Sequence, residues 1–420
     1  MKKIVRGLLL ILVFISCSFN YEYVNAEGNN DKKQVIDTDE RIFDITSDNV
    51  ILYNLDDKSI IYEENSDEKV QIASLTKIMT TLIAIENIDN LEEKVTITSD
   101  VFRGISEYSQ AGLSVGDEVT YRDLLYGVML PSGADSVNAI VMNGFDSNDA
   151  FVKLMNDKAK EIGLDDTKFD NAIGMDSDDN YSTASDVAKL LMYALDNETF
   201  NTIFKTKTYT IPSINLELNS TLVSYGGSLD TSNILGAKSG FTDGAGLCLA
   251  SIANYNDINY LEVVLGADTA SRANAVRDSL EIYSYYAKNY DYVDVIKKGQ
   301  VLEKIDVKWG KVDTYSIKGN DDVSVYLRNT VMSDDLEYNY KGVEELTYKN
   351  KKGDKLGVVT VSYDGRELTS YDVYLNDDIE YYHPVIYTIM GLAIVLMIIS
   401  IILIKKSKRK SKQKKRKKRL

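Results

Sequence analysis

The sequence predicts an α+β domain followed by a small all-β domain and a single transmembrane helix. Three observations carry this. Helical and strand-like runs are interleaved from residue 43 to about residue 290, and short β-rich runs separated by Gly and Asp turns fill residues 291–376. Residues 385–404, VIYTIMGLAIVLMIISIILI, hold no charge over twenty positions, about the length that crosses a bilayer core as a helix.

In chain order, residues 1–26 read as a secretory signal peptide. Lys2, Lys3 and Arg6 precede an apolar run from Leu8 to Ile15, and Val24-Asn25-Ala26 offers a small-residue cleavage site. Cys17 as a lipid-attachment cysteine is the alternative, with Phe14 an awkward residue three before it. Residues 27–42 are polar, acidic and aperiodic, a linker. From Asn49, NVILYNLDDKSIIYEENSDEKV is a hairpin turning at Asp56-Asp57-Lys58. A helix from Ser74 to about Asn87 is apolar on nearly all sides and so belongs in the centre of a domain. TYRDLLYGVMLPSGADSVNAIVMNGF gives two helices broken at Pro131-Ser132-Gly133, and residues 149–163 and 183–197 give two amphipathic helices. GLCLASIANYNDINYLEVVLGA (246–267) is an antiparallel hairpin turning at Asn256-Asp257, and a last helix lies near 271–288. The first domain is therefore 43–290. VSVYLRN, KLGVVTVSY and TSYDVYL belong to the second, 291–376, a spacer with no catalytic cluster of its own; 377–384 is a short linker before the 385–404 span.

Behind the span comes KKSKRKSKQKKRKKRL (405–420), 12 basic residues in 16. Next to a membrane helix such a run is retained on the cytoplasmic side, where it stops transfer and rests against anionic lipid. Signal peptide and stop-transfer together place residues 27–384 outside the cytoplasm. The whole chain carries a net charge of −16, but with the basic ends set aside the exported part carries about −30. Nucleic acid, a polyanion, is excluded as a partner on that ground. Only Cys248 follows the signal peptide, so no disulfide forms within the exported part; it reads as a buried strand residue. The single histidine, His383, lies at the membrane edge, which leaves no His-based metal site and no Ser-His-Asp triad.

A serine nucleophile here needs a different base. Ser74 and Lys77 stand three apart on one helix face, although the same Ser-x-x-Lys spacing recurs at Ser66/Lys69, Ser407/Lys410 and Ser411/Lys414, so spacing alone decides nothing. Ser74 is distinguished by two later motifs, Ser132-Gly133-Ala134 at a helix break and then Lys238-Ser239-Gly240 at the start of a strand. A lysine whose pKa is lowered by burial and nearby cations takes a serine proton at neutral pH. In this reading Ser132 relays a proton to the leaving amine. Lys238 supplies the second cation, depressing the Lys77 pKa and attracting a substrate carboxylate, which the Ser239 hydroxyl hydrogen-bonds. The backbone N–H groups of Ser74 and Phe241 form an oxyanion hole. Taken singly, Ser74 reads more readily as a helix N-cap and Lys238-Ser239-Gly240 as a turn; it is their order and context together that argue against coincidence.

These three motifs, with QIASLTKIMT, LLYGVMLPSGAD, MNDKAKEIGLDDTKFDNAIGM, YSTASDVAKLL and GAKSGFTDGAGLCLAS around them, resemble the active-site serine enzymes that bind penicillin. Within that set the chain is similar to the low-molecular-mass penicillin-binding proteins that are D-alanyl-D-alanine carboxypeptidases, from about Phe43 to Leu375. The resemblance implies a β-lactamase/transpeptidase-like first domain, an antiparallel sheet flanked by helices. It implies removal of the terminal D-alanine from peptidoglycan stem peptides ending in D-Ala-D-Ala, which limits cross-linking, with β-lactams as inhibitors and no cofactor or metal. Ser74 matches the acylated serine, Lys77 its base and Ser132 the second-motif serine. Lys238, Ser239 and Gly240 match the third motif, with Ser in place of the commoner Thr. Arg272 falls where the family places an arginine near the substrate carboxylate; a surface ion pair is its other reading. Ala134 departs from the usual Asn, and Ser136-Val137-Asn138 is a rival alignment lying one helical turn deeper. The family's C-terminal anchor is usually an amphipathic helix, where this chain has a full span.

Two other functions share parts of the pattern. A β-lactamase needs a further group to activate the deacylating water, in one class a Glu with Asn four residues on, and none of Glu161, Glu198 and Glu217 has Asn at that offset. A catalytically silent wall-binding sensor is supported by Ala134 alone.

Overall fold

The hairpin expected near the start of the first domain forms as β1 (Asn49–Asn54) and β2 (Ser59–Glu64). Lys58 closes its turn with φ 60°, the left-handed conformation that lets two twisted strands return on each other. The computed structural model describes residues 43–417, so the expected signal peptide, Cys17 and the 27–42 linker lie outside the described residues. Next come α1 (Thr76–Asn87) and a short ribbon of β3 (Lys94–Thr96) with β4 (Glu118–Thr120). Helices α2 (Tyr121–Met129), α3 (Ala134–Gly144), α4 (Asn148–Ile162), α5 (Ala184–Leu195) and α6 (Glu198–Lys205) come after it. A second ribbon, β5 (Thr208–Ile211) with β6 (Leu216–Asn219), leads through α7 (Thr221–Gly226) to β7 (Ile234–Thr242), β8 (Gly246–Tyr255), β9 (Ile258–Ala267) and α8 (Asn274–Asn289).

Five strands form the main sheet in the order β2-β1-β9-β8-β7, antiparallel at every pairing. Pairing of β1 with β9 joins the N-terminal hairpin to the C-terminal one, so both ends of the domain's sequence build its centre. Successive side chains of a strand point to opposite faces, and β9 shows what each face meets. Leu261, Val263 and Leu265 enter the core shared with α1 to α5, whereas Tyr260 and Val264 enter a second core under α8. With helices on both faces the sheet is fully covered, which is why its strands read as nearly continuous apolar runs. This is the antiparallel sheet flanked by helices that the family resemblance implies.

The second domain is all β. Strand β10 (Tyr290–Ile296) pairs with β13 (Val323–Arg328), and β11 (Val301–Lys308) lies between β12 (Thr314–Lys318) and β15 (Glu345–Thr347). The third group is β14 (Leu336–Gly342), β16 (Lys355–Tyr363) and β17 (Arg366–Tyr374), all antiparallel. Tyr326 of β13 is fully buried and belongs to the core under α8 in the first domain, its hydroxyl 3.0 Å from that of Tyr260 and its ring stacked 5.7 Å from Tyr290. Finally α9 (Pro384–Lys417) runs through the apolar segment into the basic tail with no side chain buried. It is the one helix among the described residues long and apolar enough to cross a membrane.

Candidate active site

Ser74 lies in a one-turn 3-10 helix, Ala73–Leu75, that leads into α1, slightly ahead of the α-helix expected to begin at it. Ala73 takes φ 46°, and no side chain caps this end of α1, so the serine hydroxyl is not engaged in capping. Lys77, one turn on, is buried. Its Nζ is 2.9 Å from Ser74 Oγ and donates to the Ile173 carbonyl at 2.6 Å. The loop that presents this carbonyl is shaped by Asn171, whose Oδ1 accepts the amides of Ile173, Gly174 and Met175. Gly174 has φ +86°, and a Cβ there would stand 2.0 Å from the Ala73 carbonyl oxygen. Only a residue without a side chain lets this loop lie on the Ser74 turn.

Ser132 sits between α2 and α3 at the expected helix break, with φ 65° and 4% exposure. Lys238 is fully buried; its Nζ donates to Ser132 Oγ at 2.9 Å and to the Ser239 carbonyl at 2.6 Å. The sequence places Lys238-Ser239-Gly240 at the start of a strand. It lies instead well inside β7, whose pairing with β8 begins at Ile234. A Cβ on Gly240 would stand 3.1 Å from the Ser74 amide nitrogen, so β7, the edge strand, passes against the Ser74 backbone. Along an edge, backbone N–H groups pointing away from the sheet are left for another acceptor. Ser239 Oγ donates to Thr221 Oγ1 at 2.6 Å, an anchor at the head of α7.

Burial pushes the Lys77 pKa down to about 7, with the negative charge of Asp135 acting in the opposite direction. Lys238 is lowered well below its ordinary value, by burial first and by repulsion from Lys77 second. Desolvation, rather than the expected neighbouring cation, is what lowers Lys77; the repulsion between the two lysines is felt at Lys238. Because repulsion between two buried ammonium groups is reciprocal, the pair resists holding two protons at once.

Asp135 is a site residue that the sequence reading does not single out. Fully buried at the start of α3, it accepts four amides: Ala111 and Ser136 on Oδ1 at 2.7 and 2.9 Å, Gly112 and Leu113 on Oδ2 at 3.1 and 3.3 Å. Its carboxylate thereby ties the 111–113 loop to the Ser132 turn. The acidic residue next to Ser132-Gly133-Ala134 is the available signal. Ala134 is buried, and its amide donates to Ser109. In the rival alignment Ser136 is buried against Gly127, and the Asn138 side-chain amide donates to Val101, so neither is shown joining the two lysines. Arg272 lies over the rings of Phe241 at 5.1 Å and Tyr225 at 5.7 Å and donates to the Tyr225 hydroxyl at 3.3 Å. It thus stands beside the far end of the third motif. Cys248 is buried in β8, where desolvation pushes its thiol up to about 12. Glu161, Glu198 and Glu217 are all exposed.

The profile of the D-alanyl-D-alanine carboxypeptidase family matches residues 33–269, and that of the penicillin-binding protein 5 C-terminal domain matches residues 290–381. D-alanyl-D-alanine carboxypeptidase DacF of Bacillus subtilis is 29% identical over 343 residues, 79% of this chain and 85% of the relative. The D-alanyl-D-alanine carboxypeptidase of Streptomyces sp. strain K15 is 34% identical over 237 residues, 52% of this chain and 79% of its own. Among solved structures, the Streptomyces K15 DD-transpeptidase superposes with a TM-score of 0.53 at 32% identity, covering 57% of this chain and 97% of that one. Penicillin-binding protein 5 of Haemophilus influenzae shares the fold, with a TM-score of 0.60 at 22% identity over 81% of this chain and 100% of that one.

Proposed function

The chain belongs to the D-alanyl-D-alanine carboxypeptidase family, and from that premise we propose that Ser74 is the residue acylated when this serine-type enzyme removes the terminal D-alanine from a D-Ala-D-Ala peptide. Ser74 Oγ bonds to the carbonyl carbon of the penultimate residue while its proton passes to Lys77 Nζ. With Lys77 neutral, one N–H stays on the Ile173 carbonyl and the lone pair faces the serine. The oxyanion is held by the backbone N–H groups of Ser74 and Phe241. The C–N bond breaks as the amine takes a proton from Ser132, which recovers one along its hydrogen bond from Lys238. Lys238, Ser239 and Arg272 face the substrate carboxylate, and Gly240 gives β7 its close approach to Ser74. Water then bonds to the acyl carbon while its proton passes through Ser132 to Lys238, and the ester C–O bond breaks as Ser74 Oγ takes back its proton from Lys77.

One observation carries this reading: a buried lysine with a pKa near 7, 2.9 Å from a serine oxygen. The substrates are peptidoglycan stem peptides and the inhibitors β-lactams, which mimic the same dipeptide. Residues 43–290 do the chemistry, residues 291–376 hold it away from the bilayer, and α9 crosses the membrane with the basic tail in the cytoplasm. Labelled penicillin should mark the wild-type protein and leave Ser74→Ala unmarked; a marked Ser74→Ala would end the assignment. Protease applied to wall-stripped cells should digest the catalytic domain and spare an epitope placed after Leu420.

A further inference from the structure

The chain has one tryptophan, and the fold holds it outward. Trp309 is 59% exposed and adopts φ 61°, a left-handed conformation that is an outlier for a bulky aromatic residue. It comes directly after β11, whose Ile305 and Val307 are buried in the second domain's own core. The backbone then turns and ties itself to the root of α9. The Trp309 carbonyl accepts the Tyr382 amide at 3.0 Å, Gly310 bridges to Tyr381, and the Lys311 amide donates to the Glu380 carbonyl at 2.9 Å. Val312 and Tyr382 are exposed beside it, 53% and 45%, and the ring of Tyr348 packs 4.4 Å from that of Tyr381. Apolar side chains thus gather around the residues that immediately precede Pro384, whereas the domain's other well-exposed apolar residues, Val301 and Met332, make none of these ties to the root of α9.

We propose that Trp309, Val312 and Tyr382 form a lip that enters the headgroup and upper acyl region of the bilayer crossed by α9, seating the second domain on the membrane surface. This rests on the reading of α9 as a span. Continuity identifies the occupant. The twenty uncharged residues from Val385 match about 30 Å of hydrocarbon as a helix, which puts Val385 at the hydrocarbon edge. Three residues back to Tyr382 reach no more than about 10 Å from that edge, comparable to the interfacial layer of roughly 5–8 Å on each side. An indole and a phenol are the side chains suited to that layer, with rings against acyl chains and N–H or O–H toward headgroups.

The sole tryptophan is its own reporter. In the full chain reconstituted into vesicles, Trp309 emission should be quenched more by lipids brominated near the top of the acyl chain than by deeply brominated ones, and should be shielded from aqueous acrylamide. Val312→Asp, which keeps the reporter, should weaken the lipid quenching about twofold while penicillin labelling is unchanged. Acrylamide-accessible emission without lipid quenching, in protein that resists alkaline extraction from the vesicles, overturns the lip and leaves the span standing. Protein that alkali extracts overturns the span and the lip with it.

Discussion

The Nζ of Lys238 lies 2.9 Å from Ser132 Oγ although the two are 106 positions apart, one in an edge strand and the other at a break between helices. In the proposed mechanism, this bond makes Ser132 an acceptor from one side and a donor to the leaving amine on the other. Ser132→Ala should therefore lower kcat for D-alanine release about 10²- to 10⁴-fold. Loss of one hydrogen bond predicts a stability change of only about 1–3 kcal/mol, measured by denaturant unfolding, so lost activity in folded protein is the informative outcome.

Lys77 accepts a proton only when neutral, and its pKa is about 7. The kcat/KM for a D-Ala-D-Ala peptide should rise with pH through about 7, because the ammonium form below that value blocks the base. Asp135 acts to raise the Lys77 pKa. Asp135→Asn should therefore move this acid limb to lower pH, and should also destabilise the fold by about 1–3 kcal/mol through amides of the 111–113 loop left unpaired. A limb unmoved in the folded variant would separate Asp135 from the chemistry.

Gly174→Ala should abolish penicillin labelling. The methyl group would meet the Ala73 carbonyl oxygen at 2.0 Å in a conformation L side chains rarely adopt, so the Ser74 turn or the Lys77-binding loop must move. Overpacking of this kind costs about 1–3 kcal/mol or more, read directly as a fall in the unfolding midpoint.

Ala134→Asn restores the side chain commoner in this family. A neutral hydrogen bond contributes on the order of 1 kcal/mol, so kcat/KM for a D-Ala-D-Ala peptide should change by no more than about tenfold. The wild-type protein should already release D-alanine; release appearing only in the Asn variant would identify a sensor.

How legible each feature is in sequence depends on how local its signal is. The turns at Asp56-Asp57-Lys58 and at Asn256-Asp257 are visible because Asp and Asn, residues that favour turns, interrupt β-rich runs; Lys58, Asn256 and Asp257 all adopt positive φ. Ser74 and Lys77 share a helix face by spacing alone. The β3–β4 and β5–β6 ribbons have strands of three or four residues, too short to show a period. The beginning of β7 is hidden because Gly236, Lys238 and Ser239 interrupt its alternation, and the polar side chains of Lys238 and Ser239 are partnered by Ser132 and Thr221 from distant elements. Asp135 holding the 111–113 loop, and Thr221 holding Ser239, are contacts across 18 to 24 positions that no local pattern announces.

Tyr326 enters the first domain's core and meets the Tyr260 hydroxyl, so the boundary between the two family segments is not a thermodynamic boundary. Heating should melt both parts in a single calorimetric transition, with Tyr326→Ala splitting or broadening it. The same junction restricts how such enzymes exchange modules in evolution. A foreign second domain grafted after residue 289 would leave an aromatic-sized void beside a buried phenol, unless it brought its own ring to the same place.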